Sequence, residues 1–231
     1  MKVLVTRSRR RAWELAHPLK TAGFEPVNVP LLELVGIPGA LMPFVLYEYD
    51  ILLLTSAAAV DAVVGAYDAG LKEIERVYAV GPTTAAAAEA RGLELALIPD
   101  VHTAAHAIDR MGVIWEADIL WPSAKDVTSD TLDRMRGRGA DVHQVAVYEN
   151  VAPDGHEARL AQAAKMGIDV ITLMSGSAAR RLAASGVDFG DAKVVVIGPT
   201  TAAVAESVGL TVHAVADPHT VEGVVQAVAA L

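Results

Sequence analysis

The chain repeats itself, and the repeat limits its possible folds more than any other feature. Tyr49–Val60 (YDILLLTSAAAV) returns as Ile168–Ala179 (IDVITLMSGSAA), 119 positions later, and Arg76–Leu93 (RVYAVGPTTAAAAEARGL) returns as Lys193–Leu210 (KVVVIGPTTAAVAESVGL), 117 later. Each copy is followed by a proline and a His-Thr pair: Pro99 with His102-Thr103, then Pro218 with His219-Thr220. The opening is echoed more faintly. Lys2–Arg7 (KVLVTR) resembles Asp118–Ser123 (DILWPS), and Gly23 aligns with Gly139, both at an offset of 116.

Each half therefore reads in one order: strand, helix, strand, then strand, helix, strand, helix, strand, helix. The strands are short apolar runs, such as Val3–Thr6, Asp50–Thr55, Ile119–Pro122 and Val170–Met174. Runs of Val, Ile and Leu without alternation suit parallel strands buried on both faces. The helices are rich in alanine, and Gly23, Gly92, Gly139 and Gly209 fall where left-handed helix ends are expected. Alternating strands and helices make an α/β class of two doubly wound, flavodoxin-like parallel-sheet domains. Val29–Pro38 and Val145–Pro153 hold matching places in the halves and read as two extended connectors. One domain would then take residues 1–34 plus 152–231 and the other 37–147, with 35–36 and 148–151 as connectors. The repeat is equally compatible with a tandem arrangement.

Composition removes several functions. Of 231 residues, 53% are hydrophobic and 20% charged, which suits a globular core and excludes a disordered chain. Cysteine is absent, so disulfides, thiolate catalysis and thiolate metal sites are excluded. No apolar stretch approaches the ~18 residues of a membrane span, and the start lacks the pattern of a secretion signal. A cytoplasmic protein without membrane contact is expected. The net charge of −9 weighs against nucleic acid as partner. One basic run stands out, Arg7, Arg9, Arg10 and Arg11. It reads either as a solvated helix start or as a patch for an anionic ligand.

The strongest local signal is the repeated GPTTA. It follows an apolar strand and opens a helix, with Pro82 and Pro199 at the first helical position, where a missing N–H costs nothing. That leaves the amides and hydroxyls of Thr83, Thr84, Thr200 and Thr201 at helix N-termini, where donors and dipole favour an anion. Threonines here can also simply cap the helix. Two copies at the carboxyl ends of strands favour a ligand site, since open α/β sheets bind there. Thr55-Ser56 and Ser175-Gly176-Ser177 have the same setting, and Thr6-Arg7 adds a cation at the same edge. A rim of neutral donors with few fixed charges suits a ligand carrying many carboxylates.

Other chemistries lack their motifs. No GxGxxG, GxxxxGK[ST] or HExxH is present, and no nucleophile elbow supports a Ser-His-Asp triad. His102 and His106 share a helical spacing, but two histidines do not make a metal site. No metal is expected.

These residues resemble the uroporphyrinogen-III synthase family along nearly the whole chain. The ordered set carries the likeness: VTR at the start, Pro30, the Thr-Ser helix start at Thr55–Val60, AVGPTTA (Ala79–Ala85), and the helix ending RGRGADV. It continues with VYE (Val147–Glu149), MSGSA (Met174–Ala178), IGPTTA (Ile197–Ala202) and HTVEGVVQAV. This chain departs from the family pattern at Ser8, Ala58, Met174 and in WPSAKDV (Trp121–Val127), where Lys125 is the sole cation.

The resemblance implies two domains with a swapped arrangement, no cofactor, and hydroxymethylbilane as substrate, closed to uroporphyrinogen III with its last pyrrole inverted and water lost. It places Tyr148 in a connector as the catalytic residue, assisting departure of the hydroxyl. A free phenol near pKa ~10 is a weak acid, so its contribution would be modest. Ser56, Thr84, Ser175 and Thr201 become substrate contacts, joined by Arg7 and by Thr83, Ser177 and Thr200 at the same helix starts. A monomer is expected. The alternative is a non-catalytic relative that senses a tetrapyrrole or other anion. Such a relative would be expected to add a DNA-binding region, for which this chain has no room.

Overall fold

Strands buried on both faces need helices on both sides, and each half of the repeat supplies them. The computed structural model describes residues 1–67, 74, 76–96, 107–127 and 130–231, with 104–106 described in backbone only. The chain opens with β1 (Lys2–Val5), α1 (Trp13–Thr21), β2 (Glu25–Asn28), β3 (Glu33–Gly36) and a 3-10 turn (Leu46–Glu48). It continues with β4 (Ile51–Leu54), α2 (Ala57–Ala66), β5 (Arg76–Ala79), α3 (Pro82–Glu89) and α4 (Ala104–Arg110). Next come β6 (Asp118–Ala124), α5 (Asp130–Gly137), β7 (Asp141–Val151), α6 (His156–Lys165) and β8 (Val170–Leu173). It closes with α7 (Gly176–Ala184), β9 (Lys193–Val196), α8 (Pro199–Ser207), β10 (Ala214–Val215) and α9 (Val221–Ala229).

Contacts divide the chain into two compact units. The first comprises Met1–Glu33 with Val151–Leu231, the second Leu34–Asn150. In the first unit a parallel sheet runs β10-β9-β8-β1-β2. Numbered by chain order within that unit, this is 2-1-3-4-5 read from its β2 edge, the doubly wound order whose winding reverses between β1 and β8. Leu4, Ile171 and Leu173 face Leu160 of α6 and Leu182 of α7, while Val3 and Val5 face Leu15 and Leu19 of α1 and Val224 and Val228 of α9. Each fully buried Val or Leu contributes roughly 1.5–3 kcal/mol.

The sheet of the second unit runs β3-β7-β6-β4-β5. Here β7, β6, β4 and β5 are parallel neighbours and stand where β2, β1, β8 and β9 stand in the first unit. The reversal lies between β6 and β4. Leu52, Leu54 and Leu120 pack on Ala59, Val60 and Val63 of α2, and Ile51, Leu53, Ile119 and Trp121 pack on Ile108 of α4 and Met135 of α5. The four helix-end glycines, Gly23, Gly92, Gly139 and Gly209, have φ between +78° and +86°.

Residues 35–36 and 148–151, read as extended connectors, lie in β3 and in a continuous eleven-residue β7, neighbours in the second unit's sheet. Backbone donors and acceptors of an extended segment demand partners, and a sheet edge supplies them. The repeat missed α6, which starts after Gly155 (φ +67°) and buries Leu160 and Ala163; its counterpart in the first half includes only the 3-10 turn. Among the described residues, no helix is long and apolar enough to cross a membrane.

Candidate functional site

In the first unit the expected residues gather at the carboxyl ends of β1, β8 and β9. Thr6 donates its hydroxyl to Thr172 O (2.8 Å) and Thr172 donates to Leu4 O (2.7 Å), a buried exchange that fastens β1 to β8 at the reversal point. The next residue, Arg7, is only 9% exposed. Its Nη2 pairs with Glu14 Oε2 at 2.9 Å, but its Nη1 is buried without a hydrogen-bond partner among the described residues. Burial pushes the Arg7 pKa down, repulsion from Arg11 adds to the fall, and Glu14 opposes it. An arginine stays protonated regardless, so an unsatisfied, desolvated donor remains that an anion would relieve.

The four helix starts are of two kinds. Ser56 and Ser175 are N-caps: their Oγ atoms accept from Ala59 N (3.2 Å) and Ala178 N (3.3 Å). Their hydroxyl protons remain free to donate. Ser177 lies half-buried in the first turn of α7. Gly176 beside it packs closely, since a Cβ there would sit 3.0 Å from the Val204 side chain of α8, which would have to give way. By contrast, α3 and α8 have no side-chain cap. Their first helical hydrogen bonds run from Ala85 N to Gly81 O (3.1 Å) and from Ala202 N to Gly198 O (3.0 Å). The amides of Thr83, Thr84, Thr200 and Thr201 therefore have no intrahelical acceptor. Thr83 and Thr200 are exposed, whereas Thr84 and Thr201 are largely buried (5% and 6%). The two turns differ: Gly81 has φ +79°, which favours glycine, while Gly198 is extended and faces the ring of His219.

In the second unit, β4, β6 and β7 bring Ser56, Ala124 and Tyr148 to one level of the sheet when the observed registers are carried forward. Tyr148 is half-buried against the α2 side of the core, and its hydroxyl has no hydrogen-bond partner among the described residues. A register shift at Ser123/Ala124 lets Lys125 N donate to Tyr148 O (2.9 Å), and Lys125 Nζ pairs with Glu149 (3.0 Å). Ser123 is fully buried and satisfied, accepting from Gln144 Nε2 (3.1 Å) and donating to Ala124 O (3.0 Å).

The sequence reading missed Arg159, whose Nε and Nη2 are buried without partners among the described residues; a lone arginine on an amphipathic helix carries no signal. It also missed His219 beside the α8 start, for which the Pro-His-Thr echo was a usable sign. His102 and the side chain of His106 lie outside the described residues. Two surface cavities, of about 460 and 600 Å³, lie elsewhere: one between residues 36–42 and α2, the other around the loop before β9. Neither includes the strand-end residues. Among the described residues, no cluster of three or more His, Asp or Glu could hold a metal ion.

Residues 14–226 match the family model described as uroporphyrinogen-III synthase HemD. No curated protein matches significantly. Among solved structures, a mutant uroporphyrinogen III synthase from the extremely thermophilic bacterium Thermus thermophilus superimposes with a TM-score of 0.68 at 16% identity, covering 100% of this chain and 98% of that one. A uroporphyrinogen-III synthetase from Helicobacter pylori gives 0.70 at 17%, covering 99% and 98%. At such identity these structures establish the two-domain α/β fold, and the family match over nearly the whole chain goes further: this protein belongs to the uroporphyrinogen-III synthase family.

Proposed function

We propose that the protein closes hydroxymethylbilane to uroporphyrinogen III, as a hydro-lyase that needs no cofactor. The observation that carries this reading is the set of donors left without acceptors among the described residues at the strand ends: Arg7 Nη1 and the amides of Thr83, Thr84, Thr200 and Thr201. Such donors suit the carboxylate side chains of a linear tetrapyrrole. Ser56, Ser175 and Ser177 add hydroxyl donors at the same edges.

In the first step the C–O bond of the terminal hydroxymethyl group breaks. The pyrrole nitrogen supplies the electron pair, the hydroxyl leaves as water, and an azafulvene electrophile remains. Tyr148, with its hydroxyl unengaged, donates a hydrogen bond or proton to the departing oxygen. The last pyrrole attacks through its substituted carbon to give a spiro intermediate. Cleavage and reclosure invert that ring, and loss of a proton restores the aromatic pyrrole. Uncatalysed closure gives isomer I, so the protein's contribution is to hold a flexible polyanion in the orientation that favours the substituted carbon. On this reading the partner is a small molecule, the protein acts as a monomer, and its place is the cytoplasm.

The test is the isomer ratio formed when the purified protein meets freshly generated hydroxymethylbilane, read by chromatography after oxidation to porphyrins. Isomer III in excess is expected. Isomer I alone, at the rate of the protein-free control, would remove the enzyme reading and favour a non-catalytic tetrapyrrole sensor.

A further inference from the structure

The loop between β1 and α1 concentrates positive charge in a chain whose net charge is −9. From Arg7 to Glu14 it holds four arginines and a single carboxylate. That carboxylate is shared, since Glu14 pairs with Arg7 (2.9 Å) and with Arg11 (3.1 Å). Arg9 and Arg10 are exposed and have no ion-pair or hydrogen-bond partner among the described residues. Trp13, the first residue of α1, is 67% exposed. Two observations make this more than a solvated helix start. The loop leaves the sheet at the reversal point, directly after the Thr6–Thr172 exchange. It also begins with Arg7, nine-tenths buried, whose Nη1 finds no acceptor among the described residues.

We propose that this loop is a carboxylate-gripping arm for the tetrapyrrole, with Arg9 and Arg10 pairing with substrate carboxylates, Trp13 stacking on a pyrrole, and Arg7 anchoring the innermost carboxylate. The proposal deepens the functional reading above and rests on it for the identity of the ligand. A free, partnerless guanidinium fork matches a carboxylate in bidentate geometry without first breaking an internal pair. An exposed indole face suits a flat π-ring bearing polar arms. A local positive field in an acidic protein also draws a polyanion to the sheet edge.

The test compares wild type with Arg9→Gln/Arg10→Gln, and with Lys165→Gln/Lys193→Gln, which makes the same charge change at the opposite end of the first unit's sheet. The probe is uroporphyrin III, the oxidised macrocycle with the same carboxylates, titrated by calorimetry at low and high NaCl. The Arg9/Arg10 variant is expected to bind roughly five-fold more weakly at low salt, with the gap closing at high salt. Trp13→Ala is expected to lose roughly three-fold at every salt concentration. In steady-state assays the arginine losses should fall on KM for hydroxymethylbilane more than on kcat. Equal affinity of wild type and the Arg9/Arg10 variant for uroporphyrin would overturn the proposal. So would an equal loss in the Lys165/Lys193 control, which would mark a net-charge effect only. If the wild type yields isomer I alone, the catalytic reading falls while the uroporphyrin titration still decides the role of the arm.

Discussion

The two units carry the same scaffold but finish the equivalent strands β1 and β6, each beside the reversal point, differently. Arg7 in the first unit corresponds, at the offset of 116, to Ser123 in the second. Arg7 is a buried cation with an unsatisfied Nη1, whereas Ser123 is a buried hydroxyl whose donor and acceptor are both used. The Ser-capped and GPTT helix starts, on the other hand, occur once each in both units. The repeat thus keeps the backbone devices that favour an anion in both copies and gives the central fixed charge to one. A buried guanidinium nitrogen without an acceptor costs folding stability, and Arg7 carries one although its other end is paired with Glu14.

That contrast can be broken most directly at Arg7 and Ser123. Arg7→Met is expected to lower kcat/KM for isomer III about 100-fold, in line with losing a buried charge-assisted contact. Its stability in urea should hold or rise by about 1 kcal/mol, because an unsatisfied donor leaves the core. Ser123→Ala should do the reverse, losing about 1 kcal/mol by stranding Gln144 while changing activity little. If Arg7→Met unfolds the protein and Ser123→Ala does not, Arg7 is a packing residue and the contrast fails.

A smaller effect is expected at Tyr148. Tyr148→Phe keeps the ring against the core and removes only an unengaged hydroxyl, so turnover should fall about ten-fold with unchanged urea midpoint. Unchanged turnover would take Tyr148 out of the mechanism.

The smallest effects sharpen the two kinds of helix start. Thr84→Ala and Thr201→Ala should each raise KM a few-fold, near ~1 kcal/mol, with little change in stability, since their hydroxyls have no internal partner among the described residues. Ser56→Ala and Ser175→Ala should each cost about 1 kcal/mol of stability, because a cap is lost. KM values that move with the serines and not with the threonines would take the threonine hydroxyls of the GPTT starts out of substrate binding.

Much of this was legible in the chain itself, for local reasons. Glycine, proline and threonine at fixed offsets identified the GPTT helix starts, and the buried runs Ile51–Leu54 and Val170–Leu173 announced parallel strands covered on both faces. The helix α6 was not legible, since its counterpart in the other half does not form a helix and the repeat gave no template for it. The state of the site residues was equally hidden. Two threonines side by side in sequence differ in burial, and two arginines 152 positions apart, Arg7 and Arg159, share the condition of an unsatisfied buried guanidinium.

Sequence alone determined the α/β class, the duplication and the four repeated helix starts, because strand burial, turn geometry and those helix starts depend on residues within a few positions of one another. Only the tertiary structure decided which segments share a compact unit, that β3 and β7 join a sheet, and which donors have no acceptor. Those properties depend on what approaches from far along the chain: Thr172 reaching Leu4, Lys2 reaching Asp169, Gln144 reaching Ser123. Whether a buried polar group is paired is a property of its neighbours in space, which local pattern does not encode.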